Sequence, residues 1–329
     1  MTPQVCVRTP VRLHFGMFSF GRTEGPQFGG VGMMVEPPWV QISVRPAPRF
    51  AATGPLAARA ETFVRACCRA WNTDGLPDCA LTVERAPDPH SGLGVGTQLG
   101  LAVATGIARY LSRPLTNPAK LAASAGRGLR SAVGTYGFLH GGLIVDAGKQ
   151  AHDVLGKLEL RHDIPEQWRI VLTRSEPEAG LSGRPEADAF ARLPPVAEHV
   201  TSKLWDITRS LMLPALVRSD VQEFGEAVYR FNVLAGSTFA PIQGGPFSSA
   251  RSANLVAAIR RFGVPGVGQS SWGPTLFAIT GDRAQAESLV AWLTKERGVS
   301  VDNVSIARPN NQGAAIEIGT QPDYLGPET

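Results

Sequence analysis

A glycine-rich loop that runs directly into an apolar helix is the feature that most limits how this chain of 329 residues can fold. The loop covers residues 91–97, and a helix is predicted over residues 98–111. Nearly every residue of that helix is small or apolar, so it offers no face to solvent and must be buried. Strands predicted on both sides of it indicate an α+β domain built around this helix.

The loop also has the composition of an anion site. Gly92, Gly94 and Gly96 allow tight turns that aim successive N–H groups inward, and the helix start adds free N–H groups and a positive dipole end. Ser91 and Thr97 add hydroxyl donors. The alternative is that the glycines only permit close helix packing. The loop is not a P-loop, because no G-x-x-x-x-G-K-[ST] occurs in the chain.

A second glycine-rich segment, residues 126–142, carries Arg127, Arg130 and Ser131. Arginine binds phosphate or carboxylate in a bidentate manner, so this segment is a second candidate for anion binding. The alternative is a loop with two solvated arginines. Arg12 and His14 alternate with an apolar residue on a predicted strand and therefore share one face, where they could bind an acid group or serve the structure.

A third glycine-rich segment, residues 266–275, combines polar donors with one tryptophan. The tryptophan could stack on an aromatic substrate, or it could simply pack within a turn. The residues singled out in this segment are Gln269, Ser270, Ser271, Trp272 and Thr275. Three such segments in one chain favour a shared site for a polyanion.

The periodicity of the remaining chain predicts mixed structure first and mainly helices later. Strands are predicted at 12–16, 40–44, 80–84, 143–146, 169–173, 276–280 and 304–307. Further helices are predicted at 56–71, from Asn117 as N-cap to about 126, and at 187–192, 196–213, 221–234, 250–262 and 283–297. The change in character places a domain boundary near residue 178, giving domains 1–178 and 179–329.

Composition excludes several classes of protein. Hydrophobic residues make up 43% and charged residues 18%, an ordinary globular balance, and the net charge of +4 comes without any basic run, which argues against nucleic acid as a partner. The four cysteines lack zinc spacing and suggest reduced, buried thiols. The N-terminus lacks signal-peptide features, and the longest apolar stretch, 99–108, is too short to span a membrane, so we expect a cytoplasmic protein.

The order of the three segments resembles the GHMP kinase superfamily, in which a P-x-x-x-G-L-x-S-S-A loop binds phosphates at a helix start. Residues 89–98 occupy that place and keep the Gly92-Leu93 pair, whereas Val95 and Gly96 replace the paired serines. The resemblance implies a two-domain α+β fold, with an N-terminal domain like ribosomal protein S5 domain 2 and a ferredoxin-like C-terminal domain. The altered loop argues against phosphoryl transfer from ATP.

The altered motifs resemble one branch of that superfamily, the beta-ribofuranosylaminobenzene 5'-phosphate synthases. The similar stretches are residues 12–16, 28–32, 92–99, 126–131, 141–146, 181–186 and 268–275. This resemblance implies a pentosyltransferase of tetrahydromethanopterin biosynthesis that joins phosphoribosyl pyrophosphate to 4-aminobenzoate or 4-hydroxybenzoate with loss of carbon dioxide and pyrophosphate. Mg²⁺ is implied, no organic cofactor is, and a homodimer is plausible for such a fold.

The same resemblance implies roles for the candidate residues. The loop from Ser91 to Thr97 would bind pyrophosphate, and Arg127, Arg130 and Ser131 the 5'-phosphate or the carboxylate. The segment 269–275 would frame the ring, and Arg12 and His14 would contact the acceptor or donate a proton. Two alternatives stay open: a GHMP-type small-molecule kinase, and a non-catalytic protein that binds phosphoribosyl pyrophosphate.

Overall fold

The computed structural model describes residues 3–115, 117–174 and 190–320. Two long antiparallel strands lie at the centre of its fold. Strand β1 (Pro3–Met17) pairs with β2 (Gly30–Pro46) from Val5 opposite Val44 to Met17 opposite Gly30. The alternating residues Val11, Leu13 and Phe15 of β1 are at most 1% exposed. This period of two buries one face of the pair against helices.

The N-terminal sheet grows from both ends of β2. Strand β3 (Ala51–Thr53) pairs with β4 (Cys79–Arg85), and β4 pairs with the second half of β2. Strand β5 (Leu143–Asp146) pairs with the first residues of β2 and with β6 (Leu158–His162). The helices of this part are α1 (Ala57–Trp71), α2 (Val95–Tyr110), α3 (Pro118–Ser124) and α4 (Val133–His140).

Helix α2 is the predicted buried helix. Every residue from 98 to 108 is buried, which confirms the expectation from its composition. The Asn117 side chain caps α3 as predicted, since its Oδ1 accepts from the Ala119 N–H at 2.8 Å. Within the part of the chain that the structure describes, no helix is both long and apolar enough to cross a membrane.

The later strands are β7 (Arg169–Arg174), β8 (Gly266–Gln269), β9 (Thr275–Thr280), β10 (Val304–Pro309) and β11 (Ala315–Thr320). Strand β10 pairs with both β7 and β2, which joins the sheets in the order β11-β1-β2-β10-β7-β9-β8. The described helices are α5 (Glu198–Asp206), a π-helix (Ile207–Met212), α6 (Leu213–Val217), α7 (Val221–Ser237), α8 (Ala240–Gln243), α9 (Ala250–Arg261), α10 (Arg283–Glu296) and a 3₁₀ turn (Val301–Asn303).

The predicted boundary near residue 178 lies outside the described residues. Strand pairing crosses it in both directions. Strand β7 comes before the boundary but pairs with β9 and β10, and β11 comes after it but pairs with β1. The two ends of the chain therefore belong to one sheet.

Two of the glycine-rich segments contain regular structure that was not predicted. Residues 126–142 contain helix α4, and residues 266–269 form strand β8. The physical reason is close packing: a Cβ at Gly134 would lie 3.0 Å from Thr97 Cγ2, and one at Gly268 would lie 2.7 Å from the Phe277 ring. These glycines permit contacts between regular elements. The short strands β3, β6 and β11 were not predicted.

Candidate active site

The first and third glycine-rich segments meet on one end of β1. The Arg12 N–H donates to Leu93 O at 3.0 Å, and the Ser271 N–H donates to His14 O at 3.1 Å. The third segment is the hairpin loop between β8 and β9. The same short stretch of β1 therefore holds both segments beside each other.

One hydroxyl group fastens this junction. Ser270 Oγ accepts from the His14 N–H at 3.0 Å and donates to Gly92 O at 2.7 Å, and Ser270 is fully buried. Gly92 has a φ of +80°, and a Cβ there would lie 2.5 Å from Ser270 O. The Ser270 hydroxyl therefore holds β1 and the loop together, and its predicted role in substrate binding stays a prediction.

The start of α2 is surrounded by arginines. Gly94 caps the helix in the left-handed conformation, and a Cβ there would lie 3.2 Å from Arg12 Nε. At Gly96 the nearest side-chain atoms belong to Arg59, with Arg127 Nη2 3.4 Å from the position of a Cβ. Cations beside the positive end of a helix dipole repel it, and a bound anion would offset both charges.

Two further features of this helix start suit an anion. Burial lowers the pKa of Arg59 from its usual value, so the guanidinium is partly stripped of water. Ser91 is 2% exposed, and its hydroxyl has no hydrogen-bond partner among the described residues. A buried hydroxyl of this kind is usually satisfied by a partner, and a bound oxyanion would supply one.

A hydrogen-bonded chain links the second glycine-rich segment to β1. His14 Nε2 lies 3.1 Å from Ser131 Oγ, and Ser131 Oγ donates to Asp146 Oδ2 at 3.1 Å. The backbone N–H groups of Ala132 and Gly148 donate to the two oxygens of Asp146, at 2.6 and 2.9 Å. All three side chains lie between β1, β5 and the start of α4.

Burial shifts the pKa values of Asp146 and His14, the two ends of this chain of hydrogen bonds. Asp146 is fully buried, and burial raises the pKa of its carboxyl to about 6 although three hydrogen bonds oppose the shift. Burial, together with the nearby Arg12, holds the pKa of His14 well below its usual value. The imidazole is therefore neutral around pH 7.

A small aromatic-walled cavity, with a free volume of about 40 Å³, opens beside His14. Its wall includes Phe190, Phe239 and Trp272, whose rings pack edge to face: the Trp272 ring centroid lies 5.7 Å from that of Phe190 and 4.7 Å from that of Phe239. The Arg130 guanidinium lies 4.6 Å from the centre of the Phe190 ring. A flat aromatic molecule with an acid group matches such a wall.

The remaining predicted residues lie near this centre with different surroundings. The Gln269 side chain accepts from Ser248 N–H at 2.8 Å and donates to Ser271 O at 3.1 Å, so it shapes the hairpin loop while lining the cavity. Thr275 begins β9 and is 2% exposed. Thr97 lies in the first turn of α2 and faces Gly134 of α4.

Sequence reasoning missed several residues of this region. Asp146 was noted only as part of a similar stretch, although an acid that ends an apolar strand is itself a signal. Asn232 on α7 gave no signal, yet its amide donates to Phe15 O at 2.6 Å and to Gln269 O at 2.9 Å. Arg59 sits on an amphipathic helix like other surface arginines. The similar stretch at 181–186 lies outside the described residues.

The described residues do not form a protein cage for Mg²⁺. No group of three His, Cys, Asp or Glu side chains comes together among them. Asp146 already accepts hydrogen bonds on both oxygens.

Comparison with known proteins shows what this chain is similar to. Residues 212–298 match the family described as "GHMP kinases C terminal". Mevalonate diphosphate decarboxylase from Staphylococcus aureus superposes with a TM-score of 0.70 at 12% identity, covering 96% of this chain and 98% of that one. Homoserine kinase from Cytophaga hutchinsonii gives 0.64 at 15% identity, covering 95% and 97%.

The sequence relatives share a more specific name than the structural ones. The chain is 29% identical to beta-ribofuranosylphenol 5'-phosphate synthase from Methanothermobacter thermautotrophicus over 86% of this chain and 91% of that protein. It is also 29% identical to the synthase of the same name from Archaeoglobus fulgidus, over 95% of this chain and 99% of that protein. The fold is that of the GHMP kinases, and residues 212–298 match their C-terminal family. Over most of its length the chain is similar to the beta-ribofuranosylphenol 5'-phosphate synthases.

The seating of the loop on the hairpin can be tested with Gly92→Ala. We expect it to lower the free energy of unfolding by about 2–5 kcal/mol, from a left-handed φ and a clash with Ser270 O. It should also weaken binding of inorganic pyrophosphate, measured by calorimetry. Gly25→Ala is the matched control, since Gly25 has a φ of +78° with nothing within 4 Å of a Cβ. Equal losses in both variants would contradict the account.

Proposed function

We propose that this chain condenses phosphoribosyl pyrophosphate with 4-hydroxybenzoate and releases pyrophosphate and carbon dioxide. The observation that carries the proposal is that two subsites lie beside the same stretch of β1. An arginine-rich helix start suited to a polyanion lies beside Arg12, and an aromatic-walled cavity suited to a planar acid lies beside His14. The similarity of the chain to the beta-ribofuranosylphenol 5'-phosphate synthases over most of its length supports the same reaction.

The chemistry of this reaction balances without an oxidant or reductant. The bond between the sugar C1 and pyrophosphate breaks, and its electron pair leaves with pyrophosphate. The ring carbon that bears the carboxylate forms a bond to C1, helped by the para oxygen. The bond between that carbon and the carboxylate then breaks. The electron pair of this bond restores the aromatic ring, and carbon dioxide leaves.

The helix start would stabilise the leaving group. Negative charge grows on pyrophosphate as the bond to C1 breaks, and fixed N–H donors and cations act most strongly where charge develops. The loop from Ser91 to Thr97 supplies the donors, and Arg12, Arg59 and Arg127 supply the charge. We propose that Mg²⁺ enters with the pyrophosphate group as part of the donor.

The aromatic wall would hold the acceptor. Trp272, Phe190 and Phe239 offer ring faces and edges, and Arg130 above Phe190 offers a cation for the carboxylate. The product in the names of the relatives is a phenol, which favours the hydroxy acid over 4-aminobenzoate as acceptor here. We also propose that the enzyme works in the cytoplasm. A homodimer stays a prediction.

The kinase alternative is disfavoured by the loop itself. Val95, which stands in place of the first serine, is 3% exposed and packs in the core. It therefore cannot offer a hydroxyl to a nucleotide phosphate. The non-catalytic alternative differs from the proposal only in turnover, so an assay separates all three.

The first prediction concerns pyrophosphate release. With phosphoribosyl pyrophosphate and Mg²⁺, release should depend on 4-hydroxybenzoate and should match the carbon dioxide formed one to one. The measurement is a coupled pyrophosphate assay run with 4-hydroxybenzoate, with 4-aminobenzoate and with neither acid. Binding of the donor without release would favour the non-catalytic alternative, and ATP consumption with an alcohol would favour the kinase.

Replacing each of the two arginines of the second glycine-rich segment should change the KM of a different substrate. Arg127→Ala should raise the KM for the sugar donor, and Arg130→Ala the KM for the benzoate, each by about 10- to 100-fold, as expected when a charged hydrogen bond is lost. The control is Arg65→Ala on α1, since Arg65 is paired with Glu61 on the surface at 2.6 Å. Unchanged kinetics in both test variants would remove them from the site.

A further inference from the structure

The chain from Asp146 through Ser131 to His14 is the feature that the proposed reaction has not used. Three side chains from β5, the segment before α4 and β1 are connected by contacts of 3.1 Å each. His14 lines the cavity in which the acceptor would sit, while Asp146 lies behind it with no exposure to solvent. A buried acid two hydrogen bonds away from a cavity wall needs a reason.

The directions of the hydrogen bonds follow from the donors present. Ser131 has one O–H, and an ionised Asp146 is a stronger acceptor for it than a neutral imidazole. Ser131 Oγ already accepts from the Val133 N–H at 3.2 Å. Its remaining lone pair faces His14, so Nε2 must carry the hydrogen. His14 is then left with a lone pair on Nδ1.

We propose that Asp146 is a positioning residue that acts through Ser131 to hold His14 as the Nε2–H tautomer, leaving Nδ1 as the base that takes the acceptor's hydroxyl proton. This inference rests on the proposed function for the identity of the acceptor. The tautomer itself rests only on the geometry. The Nδ1 atom is the end of the chain of hydrogen bonds that starts at a carboxylate.

The proton follows the electrons of the reaction. As the ring carbon attacks C1, the hydroxyl proton moves to Nδ1 and the ring becomes a dienone. When the bond to carbon dioxide breaks, its pair returns to the ring as a phenolate, which takes the proton back from His14. No net proton is consumed, so the imidazole ends each cycle in its starting state.

Low pH should reverse the directions of the hydrogen bonds in this chain. When Asp146 is protonated, it donates to Ser131, and Ser131 is then free to donate to Nε2. His14 would switch to the Nδ1–H tautomer, which cannot accept the proton. Among the described residues, the charged and titratable groups that face this chain are Lys149 and Tyr136 at Asp146 and Arg12 at His14.

The direction of the pH effect follows from the carboxyl. Burial raises the pKa of Asp146 to about 6, so the carboxylate that holds the tautomer is present above pH 6 and is lost below it. Lys149 opposes the rise, because its ammonium group, whose Nζ donates to Gly128 O at 3.0 Å, favours the ionised form. Activity should therefore fall as the pH falls through about 6.

The test is ¹⁵N NMR of the full protein labelled at histidine, with His14→Gln to assign the signal. At pH 7.5 the wild type should show Nε2 protonated, and the signal should report exchange to the other tautomer as the pH falls through about 6. A wild-type His14 protonated on Nδ1 at pH 7.5, or no change across pH 6, would overturn the proposal. Apart from the variant used for assignment, this measurement needs only the wild-type protein without substrate, so it stands even if synthase activity is absent.

A kinetic arm uses Ser131→Ala. It should lower kcat by about 100-fold or more, in line with the loss of a positioned base, and should abolish the fall in activity near pH 6. The matched control is Ser43→Ala, which also removes a buried serine that donates to a carboxylate, at 2.6 Å from Glu84. An acid limb that persists unchanged in Ser131→Ala would assign it to another group and overturn the relay.

Discussion

The hydroxyl of Ser270 is the contact on which the arrangement of the site depends. It binds the backbone of β1 at His14 and the backbone of the glycine-rich loop at Gly92, and it comes from the hairpin between β8 and β9. A buried hydroxyl with both its donor and an acceptor position used is costly to disturb. Through it, segments separated by almost 180 residues share one position in space. The polyanion loop and the aromatic cavity are neighbours for this reason.

Electrostatics explains why this region suits an anionic substrate. Arg12, Arg59 and Arg127 converge on the start of α2, where the helix dipole is also positive. Under the proposed function, a phosphorylated ligand would bind where these like charges converge. Such a site gains its binding energy from the ligand's charge, which is the situation expected when catalysis depends on stabilising a leaving pyrophosphate.

The local pattern of the sequence predicted much of the fold. The apolar helix after the loop, the Asn117 cap and the strand over residues 143–146 all follow from local chemistry, and each is present in the structure. Glycine misled the prediction wherever it served close packing, as at Gly134 and Gly268, because a sequence does not show which neighbour approaches. The family resemblance supplied the fold class and the family, both of which the comparisons support.

The site was harder to predict than the fold. The sequence brought forward the residues of the three glycine-rich segments, and their roles stay predictions. It did not show that the Ser270 hydroxyl would hydrogen-bond to Gly92, or that Asp146 would hydrogen-bond to Ser131. Both contacts join segments that are distant in sequence. The aromatic wall is a similar case, since Phe190 and Phe239 come from separate parts of the chain.

In the proposed function, donor and acceptor bind in adjacent subsites on β1, one beside Arg12 and the other beside His14. A crystal structure with Mg²⁺, pyrophosphate and 4-hydroxybenzoate tests it most directly. The account predicts pyrophosphate at the start of α2 in contact with Arg59 and Arg127, and the benzoate ring between His14 and Trp272. Pyrophosphate bound elsewhere, or a benzoate outside the aromatic-walled cavity, would contradict it.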